Sequence, residues 1–378
     1  MVRAGLGPKW SCLFANDIDQ KKAASYRENW GDGDLLVDDI RNVSSEDQKG
    51  HADLIWGSFP CQDLSLAGNG AGLSGQRSGT FYPFLSCVKE LIADGRSPRF
   101  IALENVVGTL TSHKGADFRA ICEALSALDY RFGALVVDAA HFLPHSRPRL
   151  FVIAIHRSAH VPASLCQSGP SAPWHSSALR RAYEGLGPKT RSNWVWWHLP
   201  DAPKRQIDLI DVIEDKPKSV KWHTAGETTA LLSMMSEVNL AKVETAKNAK
   251  ARMVGTIYKR TRHEHGIKVQ RAEVRFDNVA GCLRTPAGGS SRQLVMVIEG
   301  SKIRSRLISS RETARLMGLA DTYKLPERYN QAYHLTGDGV AVPVVRFIAE
   351  NIFETCLTGP TKKASENEGD TLRKKHGA

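Results

Sequence analysis

A cysteine, a carboxylate and a pair of arginines are the residues of this sequence that could do chemistry together. Cys61 lies in the stretch Gly57-Ser58-Phe59-Pro60-Cys61-Gln62-Asp63-Leu64-Ser65. The run before it, Asp53-Leu54-Ile55-Trp56, predicts a short buried strand that breaks at Gly57 and Pro60. A thiol on a loop at the carboxyl end of a strand lies where open α/β sheets bind ligands. Pro60 fixes one backbone angle and removes one donor, which stiffens the turn. A stiffly held, accessible thiol is a candidate nucleophile, although a free cysteine taken alone is more often a small buried hydrophobe. Glu104, in Glu104-Asn105-Val106, and the cluster His145-Ser146-Arg147-Pro148-Arg149 also fall at predicted strand ends. A thiolate can add to an electron-poor ring. A carboxylic acid can protonate or hold a ring nitrogen and make that ring more electrophilic. Arg147 and Arg149 can hold a carbonyl oxygen or orient the carboxylate. Taken singly, each has a plain alternative: a surface strand end for Glu104, solvated charge for the arginines.

The elements that must position these groups follow from periodicity. Trp10 to Ala15 predicts a strand ending at Asn16-Asp17-Ile18-Asp19, and Lys21 to Trp30 predicts a helix stopped by Gly31. Leu35-Leu36-Val37 predicts a second strand followed by Asp38-Asp39-Ile40, with the strand before Cys61 third. Thr80 to Ala93 carries apolar residues at helical spacing. Arg99 to Leu103 predicts a strand ending at Glu104; Phe118 to Leu128 predicts a helix; Phe132 to Val137 and Leu150 to Ile155 predict strands. Strands alternating with helices imply an α/β fold with a mostly parallel sheet covered on both faces. Asp17, Asp39 and Glu104 fall just after strands, and with Cys61 they would line one edge of that sheet.

Beyond His156 the character changes. To about Gly300 the chain is rich in Pro, Ser, Trp and charge, and its periodicity is weak. Lys242 to Arg275 is strongly basic, and Leu283 to Gln293 predicts a flexible loop carrying Arg284, Arg292 and Gln293. Helical pattern returns at Arg311 to Met317 and at Val340 to Phe353, and Gly359 to Ala378 has the composition of a disordered tail. The whole chain has 378 residues and a formal charge of +11, with a pI near 9.3. That balance favours a polyanionic partner. The 7 cysteines are dispersed without metal-ligand spacing, which suits a reducing cytoplasm and no metal. No apolar run approaches a membrane span, and no internal repeat is found.

Taken in order, these segments resemble the DNA (cytosine-5) methyltransferases. Gly57 to Gln62 is similar to the family's nucleophile loop, and Glu104-Asn105-Val106 to its Glu-Asn-Val segment. His145-Ser146-Arg147-Pro148-Arg149 resembles its Gln-x-Arg-x-Arg segment, with His in place of the usual Gln. Arg311 to Gly318 resembles the segment closing the recognition domain, and Gly337-Asp338-Gly339-Val340 the late Gly-Asn-x-Val segment, with Asp for Asn. The order holds from about Gly5 to Phe353.

The resemblance implies a Rossmann-like S-adenosylmethionine-dependent methyltransferase sheet with a smaller, irregular target recognition domain. Residues 1–158 and 330–357 would form the catalytic and cofactor domain, and 159–329 the recognition domain. It also implies a covalent mechanism. Cys61 would attack C6 of a cytosine flipped from duplex DNA. Glu104 would contact N3 and the exocyclic amine, Arg149 the cytosine carbonyl or Glu104 itself, with Arg147 assisting. S-adenosylmethionine would be the cofactor, held by Asp17, Ile18, Asp39, Ile40, Pro60 and Asp338. Gln62, Arg284, Arg292 and Gln293 would contact DNA, where Arg reads guanine and Gln adenine. The family opens with a strand and a Phe-x-Gly-x-Gly turn, whereas Met1 to Gly7 resembles the helix after that turn, so a preceding strand and glycine turn are expected upstream. The expected enzyme is a monomeric, DNA-associated modification or orphan methyltransferase. The alternatives are a tRNA cytosine-5 methyltransferase and a DNA-binding protein impaired in catalysis.

Overall fold

The computed structural model describes residues 1–59, 78–264, 266–284 and 292–358. Helix α1 (Val2–Leu6) leads to strand β1 (Ala15–Asn16), helix α2 (Gln20–Trp30) and strand β2 (Leu35–Leu36). Asp19 caps α2 by accepting from the amides of Lys21 and Lys22, and Gly31 ends it at φ 78°. Strand β3 (Leu54–Gly57) precedes helix α3 (Phe81–Ala93), strand β4 (Phe100–Val106), helix α4 (Ala116–Ala127), strand β5 (Tyr130–Asp138) and strand β6 (Pro148–His156).

These strands form two sheets. Among the described residues β1 and β2 pair only with each other, in parallel, and the other four strands make the first large sheet, in the order β3-β4-β6-β5. β3 runs parallel to β4, while β6 runs against both of its neighbours, so the expected parallel sheet carries one reversed strand. The four-stranded sheet is packed on both faces, and its central strands are mostly apolar, broken by Glu104 and Arg149 toward one end. Phe100, Ala102, Phe151, Ile153 and Ile155 share a core with Val345, Ile348 and Phe353 from the end of the chain. Ile101, Leu103, Leu150, Val152 and Ala154 share the opposite core with Phe81 and Val88 of α3 and Phe118 and Ile121 of α4.

Three expected boundaries move. The strand expected from Trp10 shrinks to Ala15–Asn16, the residues that pair with β2, and the Trp10 indole donates to Glu354 Oε1 at 3.0 Å. Glu104 and Arg149 lie inside β4 and β6 rather than beyond their ends. The run after Val340 becomes two helical pieces with a wider turn between them, described below.

After β6 the chain covers β5 before it leaves the first sheet. Strand β7 (Cys166–Gln167), helices α5 (Ser177–Glu184) and α6 (Pro188–Arg191) and strand β8 (Trp196–Trp197) belong to this cover. A Cβ on Gly133 of β5 would overlap the Val195 carbonyl oxygen, so only glycine permits this contact. Thus residues 163–199, expected in the recognition domain, pack on the four-stranded sheet, where Trp174, Val195 and Trp197 join its core.

Helices α7 (Leu209–Val212), α8 (Ala225–Ser233) and α9 (Glu237–Lys247) precede a second antiparallel sheet. It comprises β9 (Met253–Glu264), β10 (Ile267–Arg275), β11 (Leu294–Glu299) and β12 (Lys302–Leu307), in the order β10-β9-β11-β12. Leu231 and Val243 of α8 and α9 cover one face through Ile257, Val274 and Met296. Val254, Val295 and Val297 of the other face join the core of the first sheet. The basic stretch is therefore largely a β-ribbon. Its Arg260 and Arg262 pair with Glu273, and Arg271 pairs with Glu264. Helix α10 (Ser310–Arg315) starts at a reciprocal Ser309–Glu312 capping box. It leads to α11 (Tyr329–Asp338), α12 (Val342–Ile348), a π turn at Ala349–Phe353 and α13 (Glu354–Thr358). The expected tail, 359–378, lies outside the described residues.

Candidate active site

Strand register places the acid and the arginine on one face. Glu104 stands opposite Phe151, and Arg149 opposite Val106, so their side chains are diagonal neighbours across β4 and β6. The Arg149 Nε lies 3.2 Å from Glu104 Oε1, with both side chains largely buried. Such a contact holds a carboxyl group in one orientation, while one Arg149 Nη donates to the Pro148 carbonyl at 2.9 Å.

The neighbouring Asn105 faces the other way and donates to the Phe59 carbonyl at 3.5 Å. Phe59 is itself buried against Phe81, at 5.3 Å between ring centroids. The chain entering the cysteine loop is thus fixed beside the Glu104 strand up to two residues before the expected nucleophile. Pro60, Cys61 and Gln62 lie outside the described residues.

Arg147 is a clamp. Buried to 2% exposure, its guanidinium donates to the carbonyls of Gly337 (2.8 Å), Gly339 (2.6 Å) and Leu283 (3.2 Å). It thereby joins β6 to the end of α11 and to the segment after β10. His145 makes a second tie. Its Nδ1 lies 2.9 Å from the Leu316 carbonyl, and its Nε2 accepts from the Leu283 amide at 3.1 Å. One nitrogen must donate and the other accept, which requires the neutral ring. Burial first, then the Arg147 charge, pushes the His145 pKa down to about 3. A parallel bridge between His145 and Ala280 continues this lacing, with Ser146 donating to Ala280 at 2.8 Å.

The segment so held brings Cys282 to the arginines, a residue that sequence reasoning missed. Its sulfur lies 3.6 Å from an Arg147 Nη and 3.9 Å from an Arg149 Nη. The only signal in the sequence was adjacency to the Arg284 loop, and Cys282 stands just before the loop as that reading bounded it.

The expected DNA-reading residues separate. Arg284 is exposed. Arg292 donates to Asn330 Oδ1 at 2.7 Å and lies over the Tyr329 ring. Gln293 is fully buried, and its amide is satisfied by Gly281, Tyr258 and Thr256. Its side chain points into the core rather than to a base edge, unlike the expected role: it stands just before β11, whose residues Leu294 to Ile298 are all buried.

On the paired strands β1 and β2, Asp17 follows the first and Asp39 the second. One Asp17 oxygen accepts from the Asp19 amide at 2.8 Å. Burial, offset in part by that bond, raises the Asp17 pKa. Ile18 is 65% exposed, a large apolar side chain left uncovered beside this carboxylate. Asp39 accepts from the Arg41 amide at 3.0 Å, and Ile40 opens the short helical turn that Asp39 caps. Asp338, at the end of α11, pairs with Lys22 of α2 at 2.9 Å. Carboxylates and an exposed apolar surface at adjacent parallel strand ends fit a nucleoside cofactor. Among the described residues no cluster of His, Cys, Asp or Glu could hold a metal ion, and no helix is long and apolar enough to cross a membrane.

The model of the C-5 cytosine-specific DNA methylase family matches residues 2–354. The Type II methyltransferase M1.ScrFI of Lactococcus lactis subsp. cremoris is 25% identical over 347 residues, covering 92% of this chain and 73% of that protein. The Type II methyltransferase M.HhaI of Haemophilus parahaemolyticus is 22% identical over 344 residues, covering 90% and 87%. Among solved structures, a mutant DNMT2 of Spodoptera frugiperda superposes with a TM-score of 0.57 at 15% identity, covering 92% of this chain and 94% of that one. The fold is accordingly that of the S-adenosylmethionine-dependent methyltransferases.

Proposed function

Because the chain belongs to the C-5 cytosine-specific DNA methylase family, we propose that it methylates C5 of a cytosine flipped out of duplex DNA, with Cys61 as covalent nucleophile. The observation that supports this reading most is the Glu104–Arg149 pair, with Asn105 of the same strand holding the approach to Cys61. The Cys61 thiolate would add to C6 and push an electron pair toward C5 and N3. Glu104 would give or share a proton at N3, so the ring gains no full negative charge. Arg149 would keep Glu104 in place and hold the cytosine carbonyl, and Arg147 would fix the three segments around them. When bound, S-adenosylmethionine supplies the methyl group taken at C5. Loss of the C5 proton to a base, with the N3 proton returning to Glu104, would then restore the C5–C6 double bond and expel Cys61 as thiolate.

Asp17 would hold ribose hydroxyls, Ile18 and Ile40 would flank the adenine, and Asp39, Pro60 and Asp338 would complete the cofactor site. Gln62 and Arg284 would contact the target, while the β9–β10 ribbon would neutralise phosphates.

The test is transfer of a labelled methyl group to duplex DNAs of varied sequence, with tRNA as competitor. Wild-type protein should also form a denaturation-resistant adduct with DNA carrying 5-fluorocytosine, since fluorine at C5 blocks the proton loss that frees the cysteine. Cys61→Ser should form none while binding DNA nearly as well. An adduct that survives this substitution, or label that goes to tRNA alone, would overturn the reading.

A further inference from the structure

Cys282 is the one sulfur among the described residues that meets the arginines of the candidate site, and the reaction as derived leaves it unused. We propose that Cys282 is a positioning residue of the methyl-transfer reaction, its sulfur accepting an N–H from both Arg147 and Arg149 and so holding Arg149 turned onto Glu104. The proposal deepens the methyltransferase reading and rests on it.

The argument starts from what is rigid. Arg147 is locked by the carbonyls of Gly337, Gly339 and Leu283. The backbone around the sulfur is equally fixed: the Cys282 carbonyl accepts from the Tyr258 hydroxyl at 2.7 Å, and the Leu283 amide donates to His145. The sulfur is therefore a fixed point between a fixed guanidinium and the Arg149 guanidinium. Arg149 reaches Cys282 with one Nη and Glu104 with its Nε. A guanidinium is a planar fork, so placing one arm on the sulfur sets the direction of the other. The sulfur also belongs to the recognition side of the chain, two residues before the exposed Arg284. A displacement of this segment on engaging DNA would reach Glu104 through a single side chain.

The charges around the sulfur suit this role. Burial raises the Cys282 pKa, but Arg147 and then Arg149 more than offset it, and Arg284 adds to them, so the net direction is down. The Tyr258 and Tyr333 phenols also face it, and Glu104 and Asp338 lie beyond Arg147. Sulfur lone pairs face two cationic donors, while the S–H side is directed to the Leu283 carbonyl at 3.5 Å.

The test compares Cys282→Ser, which keeps an acceptor, with Cys282→Ala, which has none. For Cys282→Ala we expect kcat and the rate of adduct formation with 5-fluorocytosine DNA to fall on the order of tenfold or more, the effect of losing one charge-assisted hydrogen bond. KM for DNA and the melting temperature should stay near the wild-type values, and Cys282→Ser should recover most of the rate. Cys282→Ala within about twofold of wild type in kcat overturns the proposal. So does a serine variant as slow as the alanine one, because bulk and not hydrogen bonding would then be what matters. A second measurement needs no turnover: iodoacetamide labelling of Cys282 followed by peptide mass spectrometry across pH. Its midpoint should lie below the ordinary thiol range and rise in Arg149→Met. An unmoved midpoint refutes the sulfur–Arg149 contact. A wild-type chain that labels as expected but methylates no DNA would instead defeat the methyltransferase reading, and the positioning role with it.

Discussion

Replacing Arg306 by Met should unfold the second sheet more easily than any surface change in it. Arg306 and Glu312 are both 0% exposed and paired at 2.5 Å. The Glu312 carboxylate accepts from both Arg306 Nη atoms (2.7 and 2.5 Å) and from the amides of Ser309 and Glu214 (2.7 Å each). Arg306 also donates to the carbonyls of Leu307 and Glu214 at 3.1 and 2.8 Å, and lies over the Trp222 ring. Met can keep the contact with Trp222 but none of the donors. The carboxylate would be left buried with two amides and no counter-charge, and two carbonyls would lose partners. Breaking one side of a buried pair costs about 3–5 kcal/mol, because a bare charge remains. The double variant Arg306→Met/Glu312→Gln removes that charge and keeps an acceptor for the helix cap, so it should regain at least about half of the loss. Urea unfolding followed by tryptophan fluorescence measures both. A single variant within about 1 kcal/mol of wild type, or a double variant no more stable than the single one, would refute the reasoning.

Glu104→Gln should slow adduct formation with 5-fluorocytosine DNA by about a hundredfold or more, the usual share of a lost general acid, with little change in DNA binding; equal adduct rates would remove Glu104 from its role. His145 has a folded pKa depressed from 6.5 to about 3, so its stabilising contribution is present above pH 6.5 and is lost as pH falls toward 3. Between pH 7 and pH 5 wild type should therefore lose about 2 kcal/mol more than His145→Gln, read from urea midpoints; parallel losses would mean that the ring takes a proton in the fold. Gly133→Ala would set its methyl group against the Val195 carbonyl and should cost about 1–3 kcal/mol in urea unfolding; an unchanged midpoint would show that β8 simply moves away.

What could be read from the sequence was whatever is local. Gly57 to Gln62, Glu104 to Val106 and His145 to Arg149 announce their chemistry by residue type and spacing, and the strands beside them are apolar enough to read directly. That reading still misplaced Glu104 and Arg149, putting them at strand ends when both lie inside strands. The reason is physical: the Glu104–Arg149 pair, set by antiparallel register, lets polar groups extend a buried strand, and register is not a property of either segment alone. Gln293 failed in the same way. A Gln after Arg292 looks solvent-facing until Tyr258, Thr256 and Gly281, all distant in sequence, satisfy its amide in the core. In the basic run Lys242 to Arg275, the cations of β9 and β10 are interleaved with Glu264 and Glu273, which support a ribbon only once the two strands are paired.

Cys282 carries the same lesson to the chemistry. Beyond its place next to the Arg284 loop the sequence does not mark it, because both of its partners are 133 or more residues away along the chain. What brings it to them is the lacing of 280–283 onto 144–147, and that lacing depends on a neutral His145 with one nitrogen for Leu316 and the other for Leu283. A side-chain amide has one donor end and one acceptor end, so the family's usual Gln could make the same two contacts at this place. The substitution of His for Gln thus keeps the hydrogen-bond pattern while adding a group that must stay uncharged. The active-site geometry of this chain should therefore tolerate acid less well than a variant with Gln there. Cys282, Arg147 and Arg149 should lose their alignment together as His145 takes up a proton, before the apolar cores on the two faces of the sheet give way.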